Sequence, residues 1–160
     1  MRRNPEATAD EQGRMGIARR TLLIAFFAWP AVARAEPAAV NERGGLAIDG
    51  YDPVAYFAEG RARHGAPAFA HDWRGARWLF ASAANRDAFA ADPERYAPQY
   101  GGFCAYGMAG GYRAPIDPDA WTVSGGKLYL NYSKAIRMLW STDVKGYVAK
   151  ADANWPTVGR

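Results

Sequence analysis

Five glycines (Gly101, Gly102, Gly107, Gly110 and Gly111) crowd the eighteen residues from Pro98 to Pro115, and the only cysteine of the chain, Cys104, lies among them. Each interior glycine costs about 1 kcal/mol against alanine in a helix. This stretch is therefore not a long regular helix or a central strand. A single cysteine also excludes an intramolecular disulfide framework and any all-cysteine zinc knuckle within one chain.

The flanking residues are more regular. Phe69–Trp73 and Arg77–Ala81, separated by Arg74-Gly75-Ala76, predict a β-hairpin with Trp78 and Phe80 on one face. Trp121–Val123 and Lys127–Tyr132 flank Gly125-Gly126 and predict a second hairpin. Val54–Phe57 is strand-like by its aromatic and branched content, after a turn at Gly50-Tyr51-Asp52-Pro53. Ser82 is placed to cap a helix through Ala90 with Phe89 on its buried side, and Asp92-Pro93 ends it or starts the next turn. Ser133 is placed to cap an amphipathic helix carrying Ile136, Leu139 and Trp140. The stripe continues through Val144, Tyr147, Val148, Ala151 and Trp155, and Pro156 is expected to terminate it. Strands and helices mix without βαβ alternation, so the expected class is α+β: one small domain of two β-hairpins against several short helices. A length of 160 residues suits one domain.

The N-terminus reads as an address. Arg19-Arg20 precedes the apolar run Leu22–Val32, which leads to Ala33-Arg34-Ala35. A charged region, a short apolar region and a small-x-small site make up an export signal, and the paired arginines point to the twin-arginine route. The apolar run is well short of the ~20 residues that span a bilayer. Residues 1–35 are thus expected to be a signal peptide, 36–45 a flexible polar lead-in and 46–156 the domain proper, with a periplasmic or otherwise exported location. Six basic and three acidic residues leave with the signal, so 14 basic and 13 acidic side chains remain, a net of +1. No basic stripe is left in the domain, which argues against nucleic acid.

Gly50-Tyr51-Asp52-Pro53-Val54, Trp78-x-Phe80-x-Ser82, Asn85, Phe89, Asp92-Pro93 and Tyr96 together resemble the YHS domain family. Gln99-Tyr100-Gly101-Gly102-x-Cys104-Ala105, Asp117-Pro118-x-x-Trp121, Lys127–Asn131 and Ala151-Asp152-x-x-Trp155-Pro156 are similar to its exported bacterial branch. As an ordered set these cover about residues 46–156. The resemblance implies that some relatives carry selenocysteine at the Cys104 position. It also implies that metal-associated relatives place cysteines where this chain has Ala55, Ala81 and Asn85. Alanine offers a metal nothing to coordinate, so a metal site of that design is not expected here.

Cys104 is the first candidate for chemistry. Gly101, Gly102 and Gly107 allow close backbone approach and leave amide N–H groups free to cradle a thiolate, and a helix starting after Cys104 would add its dipole. The plain alternative is a buried, inert cysteine acting as a small hydrophobe. His71, in the first hairpin, is the second candidate ligand if Cys104 holds a soft transition metal such as copper or zinc, whereas His64 reads as a solvated loop residue. Tyr51, Tyr100, Tyr106 and Trp121 are candidates to wall a cleft, or else fill the core. Asp52 and Asp117 read as turn closers. No Gly-x-Ser-x-Gly element is present, so a Ser-His-Asp hydrolase has no support.

Three functional readings follow. The first is a small exported binding or sensing module that uses Cys104 as a soft-metal ligand or redox-responsive thiol. The second is a single-cysteine oxidoreductase acting on peroxide or disulfide, resolved by an external thiol because the chain holds no second cysteine. The third is a partner-binding domain with an inert cysteine. The first is preferred, since a one-cysteine enzyme depends on a partner the sequence does not reveal.

Overall fold

The computed structural model describes residues 39–160. The expected signal peptide, and the start of the lead-in segment, lie outside the described residues. The remainder is α+β, with two sheets and short helices in the order strand pair, helix, hairpin, helices, hairpin, helices. Among the described residues no helix is long and apolar enough to cross a membrane.

The first hairpin joins β3 (Ala66–Trp73) to β4 (Ala76–Phe80), with a bulge between Ala66 and Ala70. Arg74 and Gly75 make its two-residue turn, both left-handed (φ 51° and 78°), as a turn matched to strand twist requires. The short strands β1 (Glu42–Arg43) and β2 (Leu46–Ala47) extend this sheet, β2 lying parallel to β4, in the order β1-β2-β4-β3. Trp78 and Phe80 are buried on one face as expected. Leu79 is buried too, because Gly50 and Gly65 pack against it on the other side. The second hairpin, β5 (Asp117–Ser124) and β6 (Lys127–Asn131), turns at Gly125-Gly126.

Val54–Phe57 is not a strand. Ala55–Ala58 forms the single-turn helix α1, because the Asp52 carboxylate accepts the Val54 and Ala55 N–H groups at 2.8 and 3.2 Å. Capping of the first free N–H groups, with Pro53 fixing the entering backbone, outweighs the β preference of the side chains. The next helix, α2 (Ala83–Ala91), starts at Ser82, whose Oγ accepts the Asn85 N–H, and buries Phe89. Asp92 ends α2 and caps the short α3 (Pro93–Tyr96).

The glycine-rich stretch resolves into a 3-10 turn over Gln99–Gly102 and the five-residue helix α4 (Ala105–Ala109). The C-terminal stripe divides at Thr142 and Asp143 into α5 (Lys134–Ser141), capped by Ser133, and α6 (Val144–Val158), capped by Asp143. Pro156 does not terminate α6. It deprives the Asp152 carbonyl of one helical donor, but the next helical bond, Gly159 N–H to the Trp155 carbonyl at 2.8 Å, still forms, and Arg113 Nε holds the last turn from outside at the Val158 carbonyl, 2.7 Å.

Two hydrophobic clusters result, and β6 contributes to both. Leu128 and Leu130 join Trp78, Phe80, Phe89 and Tyr56 in the first cluster. Tyr129, which alternates with them, joins Tyr100, Met108, Trp140 and Ala151 in the second. The two-residue period of a strand buried on both faces produces this division. By the same alternation Asn131, also fully buried, projects to the Tyr129 side.

Candidate functional site

Cys104 occupies the N-cap of α4 and is 1% exposed. Its Sγ accepts two backbone N–H groups, from Gly107 at 3.4 Å and from Tyr132 at 3.2 Å. Its S–H donates to Asn131 Oδ1 at 3.8 Å, and the same oxygen accepts the Tyr106 N–H at 3.2 Å. Cys104 and Asn131 thus share the free N–H groups of the first turn of α4. The other polar atom of Asn131, Nδ2, is buried without a hydrogen-bond partner among the described residues.

Beside the sulfur lies a cavity of about 230 Å³ lined by Cys104, Tyr106, Tyr112, Ala114, Tyr132 and Ile136. Its walls are apolar and aromatic. Tyr112 and Tyr132 are 54% and 56% exposed, so they form its solvent side. A reagent that approaches the covered sulfur through this cavity passes these two rings.

Only part of the expected cradle surrounds the thiol. Gly107 contributes its N–H, as expected. Gly101 and Gly102 serve elsewhere: their carbonyls accept the Asn41 N–H at 2.8 Å and Asn41 Nδ2 at 3.0 Å. Both have positive φ, and a Cβ on Gly101 would lie 2.0 Å from the Ala39 carbonyl oxygen, so these glycines fix the path of the N-terminal segment. The second sulfur donor, Tyr132 N–H, stands where β6 gives way to α5, a backbone group with no sequence signature. Asn131 carried a fainter signal, as a polar residue on the inward side of an alternating strand, which must find a partner once buried.

The expected aromatic cleft does not assemble. Tyr106 lines the Cys104 cavity, but Tyr51 stacks on His64 at 3.9 Å between centroids, and Trp121 packs on Tyr56 at 5.3 Å. Tyr100 sits in the second cluster, its hydroxyl donating to Asp152 at 2.9 Å. Burial first, and then this hydrogen bond to a carboxylate, push the Tyr100 phenol upward. His71 is likewise separate from the thiol. It pairs with Trp78 across the first hairpin and meets the Phe89 ring edge-on at 6.0 Å. Among the described residues no group of three His, Cys, Asp or Glu side chains is placed to hold a metal ion.

A second buried polar centre lies at Asp52, which does more than close a turn. Besides the two N–H groups of α1, its carboxylate accepts Ala81 N–H at 2.8 Å and Asn85 Nδ2 at 2.7 Å. Ala55, Ala81 and Asn85 therefore converge on one carboxylate. It ties the start of α1, the end of β4 and the first turn of α2 together. Asp117 acts as a turn closer, accepting the Asp119 N–H at 2.9 Å.

Compared with protein-family models, with curated proteins and with solved structures, the chain matches none.

Proposed function

We propose that this chain is an exported YHS-like domain that works as a small sensing module, with Cys104 as a redox-responsive thiol. The observation that carries the reading is the position of Sγ: it accepts the Gly107 and Tyr132 N–H groups and forms part of the wall of a cavity able to admit a small oxidant. The kinship with YHS domains is supported by the meeting of Ala55, Ala81 and Asn85 around Asp52, since the resemblance assigns metal-binding cysteines to those three positions. Ala55 and the Ala81–Asn85 pair, more than twenty residues apart in sequence, share one centre, as ligands of one metal would.

The chemistry is a two-electron step. The Cys104 sulfur, as thiolate, attacks one oxygen of a hydroperoxide; the O–O bond breaks, a sulfenic acid forms, and the departing alkoxide or hydroxide takes a proton from water. An external thiol then displaces water to give a mixed disulfide, and a second external thiol releases Cys104 and leaves as a disulfide. The soft-metal reading has less support, because the side chains around Cys104 are Asn131, tyrosines and aliphatics, none of them histidine. The absence of a second cysteine favours a module over a self-contained enzyme.

The test treats the full chain with hydrogen peroxide and with cumene hydroperoxide, traps sulfenic acid with dimedone and reads the adduct by mass spectrometry. The expected result is a single adduct on Cys104 in the folded protein, reversible by an added thiol before trapping and lost in Cys104→Ser. No adduct until the protein is unfolded overturns the reading. Sustained peroxide consumption with excess thiol would move it to the oxidoreductase alternative.

A further inference from the structure

A second cavity, of about 220 Å³, lies where the two hydrophobic clusters meet, and none of its lining residues is shared with the Cys104 cavity. Its exposed lining is mainly polar and includes Arg74, Glu94 and Gln99, with Trp73 from the first cluster and Trp155 and Tyr100 from the second supplying the smaller aromatic share. Small-ligand sites favour such junctions, with aromatic walls and a few convergent polar groups.

Two features mark this cavity as built rather than incidental. Of the four described non-glycine residues with positive φ, two line it: Arg74 at 51° and Tyr100 at 57°. The first central position of a two-residue hairpin turn of this kind calls for Asn, Asp or Gly, so arginine there is held against its backbone preference. Strain of this sort persists where the surroundings impose it and gathers at binding sites. The strained arginine is also held in place. Its guanidinium lies 4.5 Å from the centroid of the Trp73 ring and donates to Glu94 at 2.6 Å. The Gln99 amide, by contrast, makes no hydrogen bond to another described residue, although it lines the cavity.

The composition selects the ligand class. Arg74 and Glu94 neutralise one another, so the pocket has no net charge to attract an ion. Its polar groups disfavour a purely apolar guest. Guanidinium, carboxylate and amide are planar groups that each pair with two neighbouring hydroxyls, and indole walls accept the C–H face of a ring. We propose that the pocket formed by Trp73, Arg74, Glu94, Gln99, Tyr100 and Trp155 binds one neutral sugar ring. The ring lies against the Trp155 indole, since the Arg74 guanidinium already covers Trp73, and Gln99, Arg74 and Glu94 hold its hydroxyls.

The test is saturation-transfer NMR on the full chain with D-glucose, D-galactose, D-ribose and N-acetyl-D-glucosamine as probes, repeated on Gln99→Ala and Arg74→Gly. The expected result is transfer to at least one sugar, with Kd raised about tenfold or more in each variant, the loss of one or two hydrogen bonds to the ring. Arg74→Gly is the sharper variant, because glycine takes the left-handed turn position freely. Its Tm is expected to hold or rise while binding falls, whereas a merely structural Arg74 would lower Tm. No transfer from any of the sugars, or transfer that both variants leave unchanged, overturns the proposal.

Discussion

Asp52 and Cys104 are two buried polar side chains set at helix starts, and they are satisfied to different degrees. The Asp52 carboxylate receives four donors from three segments. Cys104 receives two, donates to Asn131 Oδ1 and lines a cavity, while Asn131 keeps one buried donor unused. A saturated buried centre has no capacity left for a ligand and acts as a fastener. A nucleophilic sulfur that lines open space retains the capacity to react. The difference assigns architecture to the first and chemistry to the second.

Removing Asp52 is the most damaging way to probe that contrast. Asp52→Ala leaves four donors without their acceptor, each costing about 1–3 kcal/mol where buried, and the expected loss is about 3–5 kcal/mol in urea unfolding. Asp52→Asn keeps an acceptor oxygen and is expected to lose about 2 kcal/mol. A loss below 1 kcal/mol for the alanine variant would erase the distinction between the two centres.

Asn131→Ala is the counterpart on the other side of β6. It leaves the Tyr106 N–H and the weakly donating Cys104 thiol without their acceptor and removes a donor that was already unpartnered, so about 1–2 kcal/mol is expected, well under the Asp52→Ala figure. A loss equal to that of Asp52→Ala would mean that the thiol side is as tightly closed as the carboxylate side.

Alkaline titration probes the two clusters with a smaller effect. Burial is the first cause raising the phenols of Tyr56, in the first cluster, and Tyr100, in the second, and the Asp152 carboxylate adds to it at Tyr100. A raised folded value means that the native state keeps protons the unfolded chain gives up. The stability contributed is therefore full below about pH 10, the unfolded value, and is lost as pH climbs from there toward the folded values. Stability measured by urea unfolding should fall above pH 10. Tyr100→Phe, which costs about 1 kcal/mol at neutral pH by losing the Asp152 bond, should make that fall shallower. An unchanged slope would contradict the burial of Tyr100.

Much of the scaffold can be read directly from residues that act locally. Ser82 and Ser133 cap their helices, Gly125-Gly126 turns the second hairpin, and Phe89 faces the core. What local reading misses depends on partners distant in the chain. Val54–Phe57 carries strand-forming side chains, yet the carboxylate of Asp52 winds it into a helical turn. Pro156 survives inside α6 because Arg113 and Gly159 hold the last turn. The candidate site is half legible for the same reason. Cys104 and Gly107 stand three residues apart, within one helical turn, whereas Tyr132 N–H and Asn131 arrive from a strand end 28 and 27 residues away, and their contribution is a matter of register. The aromatics scatter because residue type says that a ring is buried, not which of two clusters receives it.

The most direct measurement is the rate of Cys104 alkylation by N-ethylmaleimide in the folded full chain, set against the same chain in urea, with Cys104→Ser as the blank. The account predicts complete modification of the folded protein at a rate well above that set by global unfolding, since the reagent enters past Tyr112 and Tyr132. A thiol that reacts only as fast as the protein unfolds would contradict it and make Cys104 as closed a centre as Asp52.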